Sequence, residues 1–391
     1  MCLPFIFTKG EKMQHYDITI IGAGPAGSTL ARTLGKKYKV LLVDKRPLDK
    51  EPSKLIKNCG GLIAPDAQKA LASFGLSIPK DVLVSPQMFS VETIDFDNDM
   101  LRTYQRHYIN VDRERYDRWL FSLCENSCEQ LFSTRYRGVV PFPELVEGKR
   151  NGEYIVKLLQ NSEQIEVSTD IIVGADGANS KVKRELIGKQ EHEPKRYISI
   201  QEWFPNNRNV NQFVAMFDKE ISDFYSWIIP KDDGIVFGSA VEEGKSAQKY
   251  HDLQKEKLKA YGYELSNPTK REGCHLLRPM SSKDICLGED SVALIGEASG
   301  LVSPTSAEGI SYAMLSGDAL GRAILEDKEN FLDLYKRNGK SLKKNIDSKM
   351  RKYPVMYNQI IRKLIFKLGI GAIEVPRRCD HVTRQKKAYV V

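Results

Sequence analysis

The feature that most constrains this sequence is a glycine-rich stretch near its start, Gly-Ala-Gly-Pro-Ala-Gly at residues 22–27. The apolar run at residues 16–21 predicts a buried strand before it, and residues 25–34 predict a helix after it. A second apolar strand, residues 38–43, leads directly into Asp44. The pattern therefore predicts a β-α-β unit, the unit with which parallel sheets that bind dinucleotides begin.

Each glycine of this stretch has a separate steric task. Gly22 permits the tight turn out of the strand, Gly24 lets the backbone approach a pyrophosphate, and Gly27 lets the helix pack closely on the sheet. Asp44 lies 20 residues beyond Gly24, where a carboxylate can accept both hydroxyls of an adenosine ribose. We predict dinucleotide binding here, rather than an ordinary turn, by Gly22, Ala23, Gly24, Pro25, Ala26, Gly27, Asp44 and Lys45.

Two later stretches also combine glycines with an acid, at residues 174–177 (Gly-Ala-Asp-Gly) and 296–300 (Gly-Glu-Ala-Ser-Gly). The second follows a short apolar strand at 292–295 and precedes a helix predicted at 306–325, so it can offer backbone N–H groups and a carboxylate. Together the three stretches predict that the chain returns repeatedly to one extended cofactor, with FAD as its expected identity. The residues expected to contact it here are Asp176, Gly177, Gly296 and Glu297.

Composition and spacing predict two domains and a C-terminal appendage. With 391 residues, 41% of them hydrophobic, the chain is long enough for two cores. Residues 196–240 are rich in β-branched and aromatic residues with alternating polarity, which predicts an inserted antiparallel sheet. The predicted fold class is α/β (α+β overall), with a Rossmann-type FAD-binding domain, an inserted antiparallel sheet domain and a helical tail. The predicted boundaries are 14–85, 105–185 and 285–330 for the cofactor domain, 86–104 and 186–284 for the inserted domain, 331–391 for the tail, and 1–13 for a loose extension.

The three glycine and acid stretches together resemble the fingerprints of the flavoprotein superfamily that contains para-hydroxybenzoate hydroxylase. In that superfamily the last acid usually holds the flavin ribityl chain and is aspartate, whereas this chain has Glu297, one methylene longer. Residues 113–120 resemble the family helix whose arginine contacts FAD, which implies that role for Arg113; a solvated helix charge is the alternative. The middle stretch, extended to Ser180, resembles a segment linked to nicotinamide-nucleotide use.

Three further segments resemble the geranylgeranyl reductase branch of that superfamily: its Cys-Gly-Gly turn beside the flavin ring, its Tyr-x-Trp-x-Phe-Pro substrate motif, and its flavin-contacting loop and helix. They lie at residues 57–61, 225–230 and 304–316, and Ile229 stands where the family has phenylalanine. The resemblance covers about residues 14–330. It implies additional cofactor contacts from Cys59, Gly60, Gly61, Gly309 and Ile310.

Cys59, Tyr225 and Trp227 are the candidate catalytic-site residues. Tyr225 and Trp227 lie two apart on a predicted strand, so they point to one face and can form a wall for a long isoprenoid chain. The alternative is that both are core aromatics of a sheet. For Cys59, a thiol close to the flavin and a small buried side chain at a tight turn both stay open.

The C-terminal region is strongly basic. From residue 331 onward, 16 Lys and Arg face 4 Asp and Glu, a net charge of +12, within a chain whose total is +8. An anionic membrane surface is the expected partner of this region, with a C-terminal core helix as the alternative. Nucleic acid is not expected, because no binding module accompanies the charge, and no apolar run of 18 residues predicts a spanning helix. Apolar residues at helical spacing are Met356, Ile360, Ile361, Leu364, Ile365 and Leu368.

Seven cysteines without a Cys-x-x-Cys pair predict a reducing, cytoplasmic setting and no structural metal. The basic C-terminal region adds the expectation of a peripheral position on the inner face of the membrane. No second strand-associated glycine fingerprint is present, so NAD(P)H or another reductant is expected to dock transiently. The leading functional hypothesis is reduction of carbon–carbon double bonds in a polyprenyl-type or other apolar substrate. The alternatives are an NAD(P)H- and FAD-dependent hydroxylase of an aromatic or lipid substrate, and a membrane-associated flavoprotein with a binding or envelope-stress role.

Overall fold

The computed structural model describes residues 13–49, 59–141 and 154–373, which form two eight-stranded sheets with helices around them. The strands are β1 His15–Ile21, β2 Val40–Val43, β3 Leu62–Ile63, β4 Met88–Asp95, β5 Met100–Asn110, β6 Glu129–Leu131, β7 Thr134–Pro141, β8 Tyr154–Gln160, β9 Glu163–Gly174, β10 Lys195–Pro205, β11 Phe213–Phe217, β12 Ser226–Lys231, β13 Gly234–Glu242, β14 Lys270–Arg278, β15 Gly288–Glu289 and β16 Val292–Leu294. The helices are α1 Pro25–Leu34, α2 Pro65–Ser73, α3 Arg113–Ser122, α4 Ala247–Lys259, α5 Ile310–Glu326, α6 Phe331–Asn338, α7 Lys340–Arg351, α8 Tyr353–Tyr357 and α9 Gln359–Lys367.

The first sheet contains the predicted β-α-β unit. Its strands lie in the order β15-β16-β9-β1-β2-β6, and β7 and β8 continue from β9 as an antiparallel ribbon. β1 pairs in parallel with both β2 and β9, and β16 pairs in parallel with β9. β2 is apolar throughout, and the last four residues of β1 are all buried, because a central parallel strand is covered on both faces.

Helices α1 and α5 pack against each other and share a core with the first sheet. α1 begins at Pro25, as predicted, because proline in the first turn removes no intrahelical hydrogen bond. α5 begins at Ile310, later than the predicted residue 306. The reason is that the preceding loop makes its own backbone bonds, from Ser303 N–H to the Glu308 carbonyl and from Ala307 N–H to the Ser303 carbonyl.

The second sheet has the order β14-β10-β13-β12-β11-β4-β5-β3. Its pairs are antiparallel, as predicted, except that β4 and β11 run parallel. These two strands come from distant parts of the chain, and the connection between them passes through the first sheet. β5 belongs to the second sheet over its whole length, so the predicted domain boundary at residue 105 falls inside a strand.

The helices after residue 330 contact both sheets. Tyr335 of α6 donates its hydroxyl to the Leu294 carbonyl at 3.0 Å, and Leu342 and Ile346 of α7 are buried. α9 lies on the second sheet through Arg362 and Phe366, both buried. Of the isoleucines and leucines that the sequence pattern offers for docking, Ile365 is half-buried and the others are exposed, namely Ile360, Ile361, Leu364 and Leu368.

Several predictions concern residues outside the described ranges. The N-terminal extension up to residue 12, Lys57 and Asn58, and the tail from residue 374 stay predictions for this reason. Within the described ranges, the structure contains no helix of the length and apolar character needed to cross a membrane.

Candidate functional site

One large cavity lies between the two sheets, at the carboxyl ends of β1, β2, β9 and β16. Its volume is about 1230 Å³, above the ~300–1,000 Å³ typical of a single small-molecule pocket. Crevices at the carboxyl ends of open parallel sheets are where α/β proteins bind ligands. Of the predicted site residues, the structure places around this cavity Gly22, Gly24, Pro25, Ala26, Asp44, Lys45, Cys59, Gly60, Gly61, Arg113, Asp176, Gly177, Tyr225, Trp227, Gly296, Glu297, Gly309 and Ile310. Ala23 and Gly27 lie behind it.

The glycine loop between β1 and α1 forms the first wall of the cavity. A Cβ at Gly27 would lie 1.9 Å from the Gly22 carbonyl oxygen, so only glycine lets α1 begin this close to the strand. A Cβ at Gly24 would meet nothing within 4 Å, because Gly24 faces the open cavity. The first-turn N–H groups of a helix have no partner inside the helix, and α1 therefore offers an anion-binding terminus at this wall.

Asp44 follows β2 directly, as predicted, and its carboxylate is held on two sides. Oδ2 accepts the backbone N–H of Ala23 at 2.7 Å and Arg46 Nη2 at 2.9 Å, while Oδ1 accepts Arg46 Nε at 3.0 Å. These bonds tie the strand end to the glycine loop. Oδ1 also accepts the backbone N–H of Arg46 at 2.8 Å, so each carboxylate oxygen accepts two hydrogen bonds and its two lone-pair positions are occupied. A ligand hydroxyl binds this carboxylate only if it replaces one of these contacts.

A chain of buried charges continues from Asp44 to Cys59. Arg46 donates to Asp117 at 2.6 Å, Asp117 accepts Arg113 Nε at 2.9 Å, and Arg113 hydrogen bonds to Cys59. Arg113 is 7% exposed, which excludes the alternative of a solvated helix charge. Burial alone would raise the pKa of Asp117, but the charges of Arg113 and Arg46 hold this pKa below its ordinary value. The network therefore links both ends of the cavity.

The turn at residues 59–61 packs on side chains of β12. A Cβ at Gly60 would lie 2.3 Å from Ile229 Cδ1, and the Gly61 carbonyl accepts Lys231 Nζ at 3.3 Å. The Gly61 N–H donates to Cys59 Sγ at 3.5 Å, which turns the thiol into the cavity wall. Burial lowers the pKa of Lys231 to about 7. The guanidinium of Arg113 and the amine of Lys231, which is only partly protonated at neutral pH, thus lie near the Cys59 sulfur.

Asp176 follows β9 and has one carboxylate oxygen available to a ligand. Its Oδ2 accepts the backbone N–H groups of Lys181 and Val182 at 2.7 and 3.3 Å. Its Oδ1 is buried and has no hydrogen-bond partner among the described residues. Burial raises the pKa of Asp176, although the Ser180 side chain and the backbone N–H groups favour the charged form. A buried acceptor of this kind at a cavity wall calls for a donor from a bound molecule.

Glu297 lies in a 3₁₀ turn, Gly296–Ser299, directly after β16. Its Oε1 accepts the backbone N–H of Leu277, on β14 of the second sheet, at 3.3 Å. The methylene that distinguishes glutamate from aspartate gives the side chain this reach across the cavity. Glu297 therefore joins the two sheets while it lines the space between them.

The opposite wall is aromatic. The rings of Tyr225 and Trp227 have centroids 5.4 Å apart, and Phe217 lies 6.3 Å from Tyr225. Tyr225 donates its hydroxyl to the Ser306 carbonyl at 2.7 Å, which orients the ring. Trp227 is buried and Tyr225 is half-buried, and both pack in one apolar cluster of the second sheet. Both also line the cavity, so they form part of its wall. Gly238 lies beneath the Trp227 indole, and a Cβ there would lie 2.3 Å from Trp227 Cε2.

Sequence reasoning missed several residues of this site. Glu308 accepts Tyr108 at 2.9 Å and Arg106 at 3.2 Å, which closes the cavity beside the loop before α5. Gln201 of β10 also reaches the cavity, and α7 and α8 contribute Lys349 and other side chains at one end. For the site residues on strands, the only signal in the sequence was the alternation of apolar and polar residues. This alternation predicts which residues share a face of a sheet, but it does not predict which strands are neighbours.

The fold is shared with several solved flavin-dependent proteins. A geranylgeranyl bacteriochlorophyll reductase-like protein from Thermoplasma acidophilum superimposes with a TM-score of 0.74 at 17% identity, over 96% of each chain. The flavin-dependent halogenase CmlS has a TM-score of 0.66 at 16% identity, over 97% of this chain and 71% of its own. PqsL of Pseudomonas aeruginosa, described as a probable FAD-dependent monooxygenase, has a TM-score of 0.64 at 17% identity, over 90% of this chain and 100% of its own. The chain thus has the fold of the FAD-dependent oxidoreductases.

The sequence relatives are bacterial CbrA proteins. Protein CbrA of Escherichia coli strain K12 is 36% identical over 361 residues, which cover 92% of this chain and 99% of that protein. Protein CbrA of Shigella sonnei strain Ss046 matches with the same identity and coverage. The protein belongs to the CbrA family. No protein-family model matches the chain, and the name CbrA specifies no activity.

Proposed function

We propose that the cavity binds FAD as the redox cofactor of an oxidoreductase. The pyrophosphate would lie at the glycine loop and the N-terminus of α1, the adenosine ribose at Asp44, and the ribityl chain near Glu297. Residues 59–61 would then lie beside the isoalloxazine ring. The residues fit this cofactor, because Gly24 leaves open space at the helix terminus, and Asp176 offers a buried acceptor without a partner among the described residues.

The reaction that we propose is reduction of a carbon–carbon double bond in a polyprenyl-type or other apolar substrate. When bound, FAD supplies a two-electron carrier whose reduced form delivers hydride. The substrate gains this hydride and one proton, and the electron pair comes from NAD(P)H or another reductant that docks transiently. The observation that carries the proposal is the aromatic wall of Tyr225, Trp227 and Phe217 in the same cavity as the cofactor cradle.

The side chains of this wall have a positioning and water-excluding part in the proposed reaction. An isoprenoid chain offers a protein only shape and apolar surface, which the tilted rings of the wall can cover. Tyr225 keeps its proton at neutral pH, because burial raises its pKa, and its hydroxyl is already bonded to Ser306. Cys59 contributes a thiol at the same end of the cavity, held by Arg113.

An anaerobic reaction tests the proposal. Chemically reduced, FAD-loaded protein is mixed with polyprenyl lipids of several chain lengths, and flavin reoxidation and lipid mass are followed. We expect reoxidation together with a gain of two hydrogens per reduced double bond. The fully saturated lipid of the same length is the matched control and leaves the flavin reduced. Lack of reoxidation with every chain length contradicts the proposal.

A hydroxylase is the second candidate, because the fold is also that of a probable FAD-dependent monooxygenase. In this case one oxygen atom of O₂ enters an aromatic or lipid substrate and the other leaves as water, with NAD(P)H as the electron source. Turnover under ¹⁸O₂ separates the two reactions. Label in the product favours the hydroxylase, whereas hydrogen gain without label favours the reductase.

We also propose that the C-terminal region places the protein on an anionic membrane surface, on the cytoplasmic face. The orientation of α9 supports this. Arg362 is 3% exposed and pairs with Asp95 and Asp97, which fixes the polar side of the helix toward the second sheet. Ile360 is 79% exposed, and the other outward apolar side chains are Leu364, Leu368, Ile370 and Ile373. Lys363 and Lys367 of the same helix are exposed beside them and complement anionic lipid.

Sedimentation with liposomes tests the membrane proposal. We expect binding to vesicles that contain anionic lipid, and a loss of about tenfold or more in the variant Ile360→Asp with Leu364→Asp, which keeps Arg362 in place. Phe89→Asp, at an exposed apolar residue on β4, is the matched control. Equal binding by all proteins contradicts the proposal. If the double variant loses vesicle binding but keeps turnover, the C-terminal region anchors an enzyme. If the protein turns over no substrate, the result favours a binding or envelope-stress role.

A further inference from the structure

The aromatic wall of the cavity contains a polar site that is separate from the cofactor cradle. On the second sheet, Gln201 of β10 and Trp227 of β12 both lie opposite Gly238 of the intervening strand β13. Side chains in one such row share a face of the sheet, and both of these line the cavity. Because Gly238 has no side chain, the space between them is open to the ring of Trp227.

The indole of Trp227 brings a hydrogen-bond donor to this row. Its Nε1 would lie 2.4 Å from a Cβ at Gly238, so the pyrrole edge of the ring extends over β13 toward β10. Trp227 is 7% exposed, and Nε1 has no hydrogen-bond partner within the described parts of the chain. Indole N–H groups normally find a partner when buried.

Gln201 brings an acceptor to the same place. It is 3% exposed, and its Oε1 has no hydrogen-bond partner among residues 13–49, 59–141 and 154–373. A donor and an acceptor, each buried and each without a partner among the described residues, therefore lie on either side of β13 in one cavity wall. Two unpaired buried polar groups cost about 1–3 kcal/mol each, which a bound polar group can recover.

We propose that Gln201 and Trp227 bind a hydroxyl group on an otherwise apolar substrate. A hydroxyl can donate to Gln201 Oε1 and accept from Trp227 Nε1 at once, whereas a hydrocarbon can do neither. The proposed function provides the apolar cavity on which this inference rests. The polar pair would then select an isoprenoid alcohol over the corresponding hydrocarbon and set the depth to which the chain enters.

Binding of a matched pair of ligands to the FAD-loaded protein tests this inference, with the change in flavin absorbance as the readout. The probes are geranylgeraniol and the hydrocarbon of the same skeleton without the hydroxyl. We expect the alcohol to bind about tenfold more tightly than the hydrocarbon, since two net hydrogen bonds contribute in that range. Trp227→Phe keeps an aromatic ring without the N–H, and Gln201→Met keeps the length without the amide.

Each variant should weaken binding of the alcohol severalfold and leave the hydrocarbon unchanged, and the double variant should bind both ligands equally. Trp203→Phe is the matched control, because Trp203 Nε1 is also buried without a partner among the described residues but Trp203 does not line the cavity.

Equal affinity of the wild-type protein for the two ligands overturns the inference and leaves the proposal of an apolar site intact. Equal weakening of both ligands in the variants overturns it as well, because it indicates a change of shape. If neither ligand binds, the proposed apolar site is wrong and the inference falls with it.

Discussion

At the scale of single residues, the site depends on charges that the protein keeps away from water. Asp117 is 1% exposed and lies between Arg46 and Arg113, so it is the central member of the buried network. Its partners connect to Asp44 on one side and to Cys59 on the other. Such a network is stable only while every charge is paired, since an unpaired buried charge is costly.

We predict that Asp117→Asn destabilises the protein by about 3–5 kcal/mol, because the substitution leaves two buried guanidinium groups with one carboxylate. Urea unfolding measures the change. Glu326→Gln is the control: Glu326 pairs with Arg337 at the surface, at 3.4 Å, with both side chains more than half exposed. Loss of such a pair costs about 1 kcal/mol or less. Similar stabilities for the two variants would show that the buried network contributes little.

We also predict that Gly238→Ala disrupts the ligand wall. The new Cβ would lie 2.3 Å from Trp227 Cε2, so the indole must move away from its position above β13. Overpacking of this kind costs about 1–3 kcal/mol, and we expect a loss of ligand affinity of about tenfold or more. Gly273→Ala is the control, because its Cβ would make an ordinary contact of 3.6 Å with the Ser199 carbonyl. Unchanged affinity in Gly238→Ala would contradict the position of the indole.

At the scale of elements, the alternation of side chains along each strand gives the two faces of the second sheet different surroundings. Trp227, Ile229 and Lys231 of β12 share the face that meets the cavity and the turn at residues 59–61. The opposite face packs against α4, where His251 is fully buried. His251 Nδ1 lies 3.1 Å from Ser239 Oγ, and Nε2 lies 3.3 Å from Glu202 Oε2. This Ser-His-Glu arrangement is enclosed by protein and does not line the cavity, so it stabilises the packing of α4.

We predict that His251 makes the protein less stable at low pH. Burial lowers the pKa of His251 to about 4 from 6.5, although Glu202 opposes the shift. The unfolded chain therefore binds a proton that the folded protein does not, and stability falls as the pH decreases from 6.5 to about 4. This difference in pKa contributes on the order of 3 kcal/mol to the free energy of unfolding. The contribution is present in full above pH 6.5 and is lost as the pH falls to about 4. The charged groups around this imidazole are Glu202, Lys255, Arg271 and Asp252.

Denaturant unfolding at pH 7 and pH 5 measures this dependence. His251→Gln should remove most of the difference between the two pH values, even if it lowers stability at both. His192→Gln, at a surface side chain, should keep the wild-type difference. An unchanged difference in His251→Gln would assign the acid sensitivity to other groups.

At the scale of the whole molecule, the cavity exists because two sheets and the C-terminal helices meet. The first sheet contributes the glycine loop and Asp176, and the second contributes the aromatic wall. Arg278, fully buried at the end of β14, donates to the Pro304 carbonyl at 2.8 Å and lies 4.4 Å from the Tyr357 ring. A ligand that fills this cavity contacts elements from the entire chain and therefore stabilises the whole fold.

We predict that FAD raises the thermal stability of the apoprotein. A ligand that binds only the native state at 100 times its Kd adds about 2.7 kcal/mol, which corresponds to an increase in Tm of several degrees. FMN should raise Tm less at the same concentration, because it lacks the adenosine half that would meet Asp44. Thermal unfolding with each flavin measures the difference. Equal shifts for FMN and FAD would contradict the assigned adenosine site.

The sequence was most informative where a local backbone requirement has a residue signature. The β-α-β unit, the acid after β2 and the turns at residues 177 and 296 follow from glycines and short apolar runs, which report local geometry. Gln201 and Gly238 could not be found in this way, because their significance depends on which strands are neighbours. The outward apolar face of α9 could not be predicted from the sequence either. Helical spacing predicts that the helix has two faces, but it does not predict which face packs on the protein.

The sequence by itself determined the fold class, the glycine loop with the acid that follows β2, and the basic character of the C-terminal region, because these depend on steric limits and charges that a few adjacent residues impose. Only the tertiary structure decided that Arg362 docks α9, that Arg46 donates to Asp117, and that Trp227 and Gln201 face one cavity. These relations join residues far apart in the chain, and their geometry comes from strand order and packing, which no local pattern encodes.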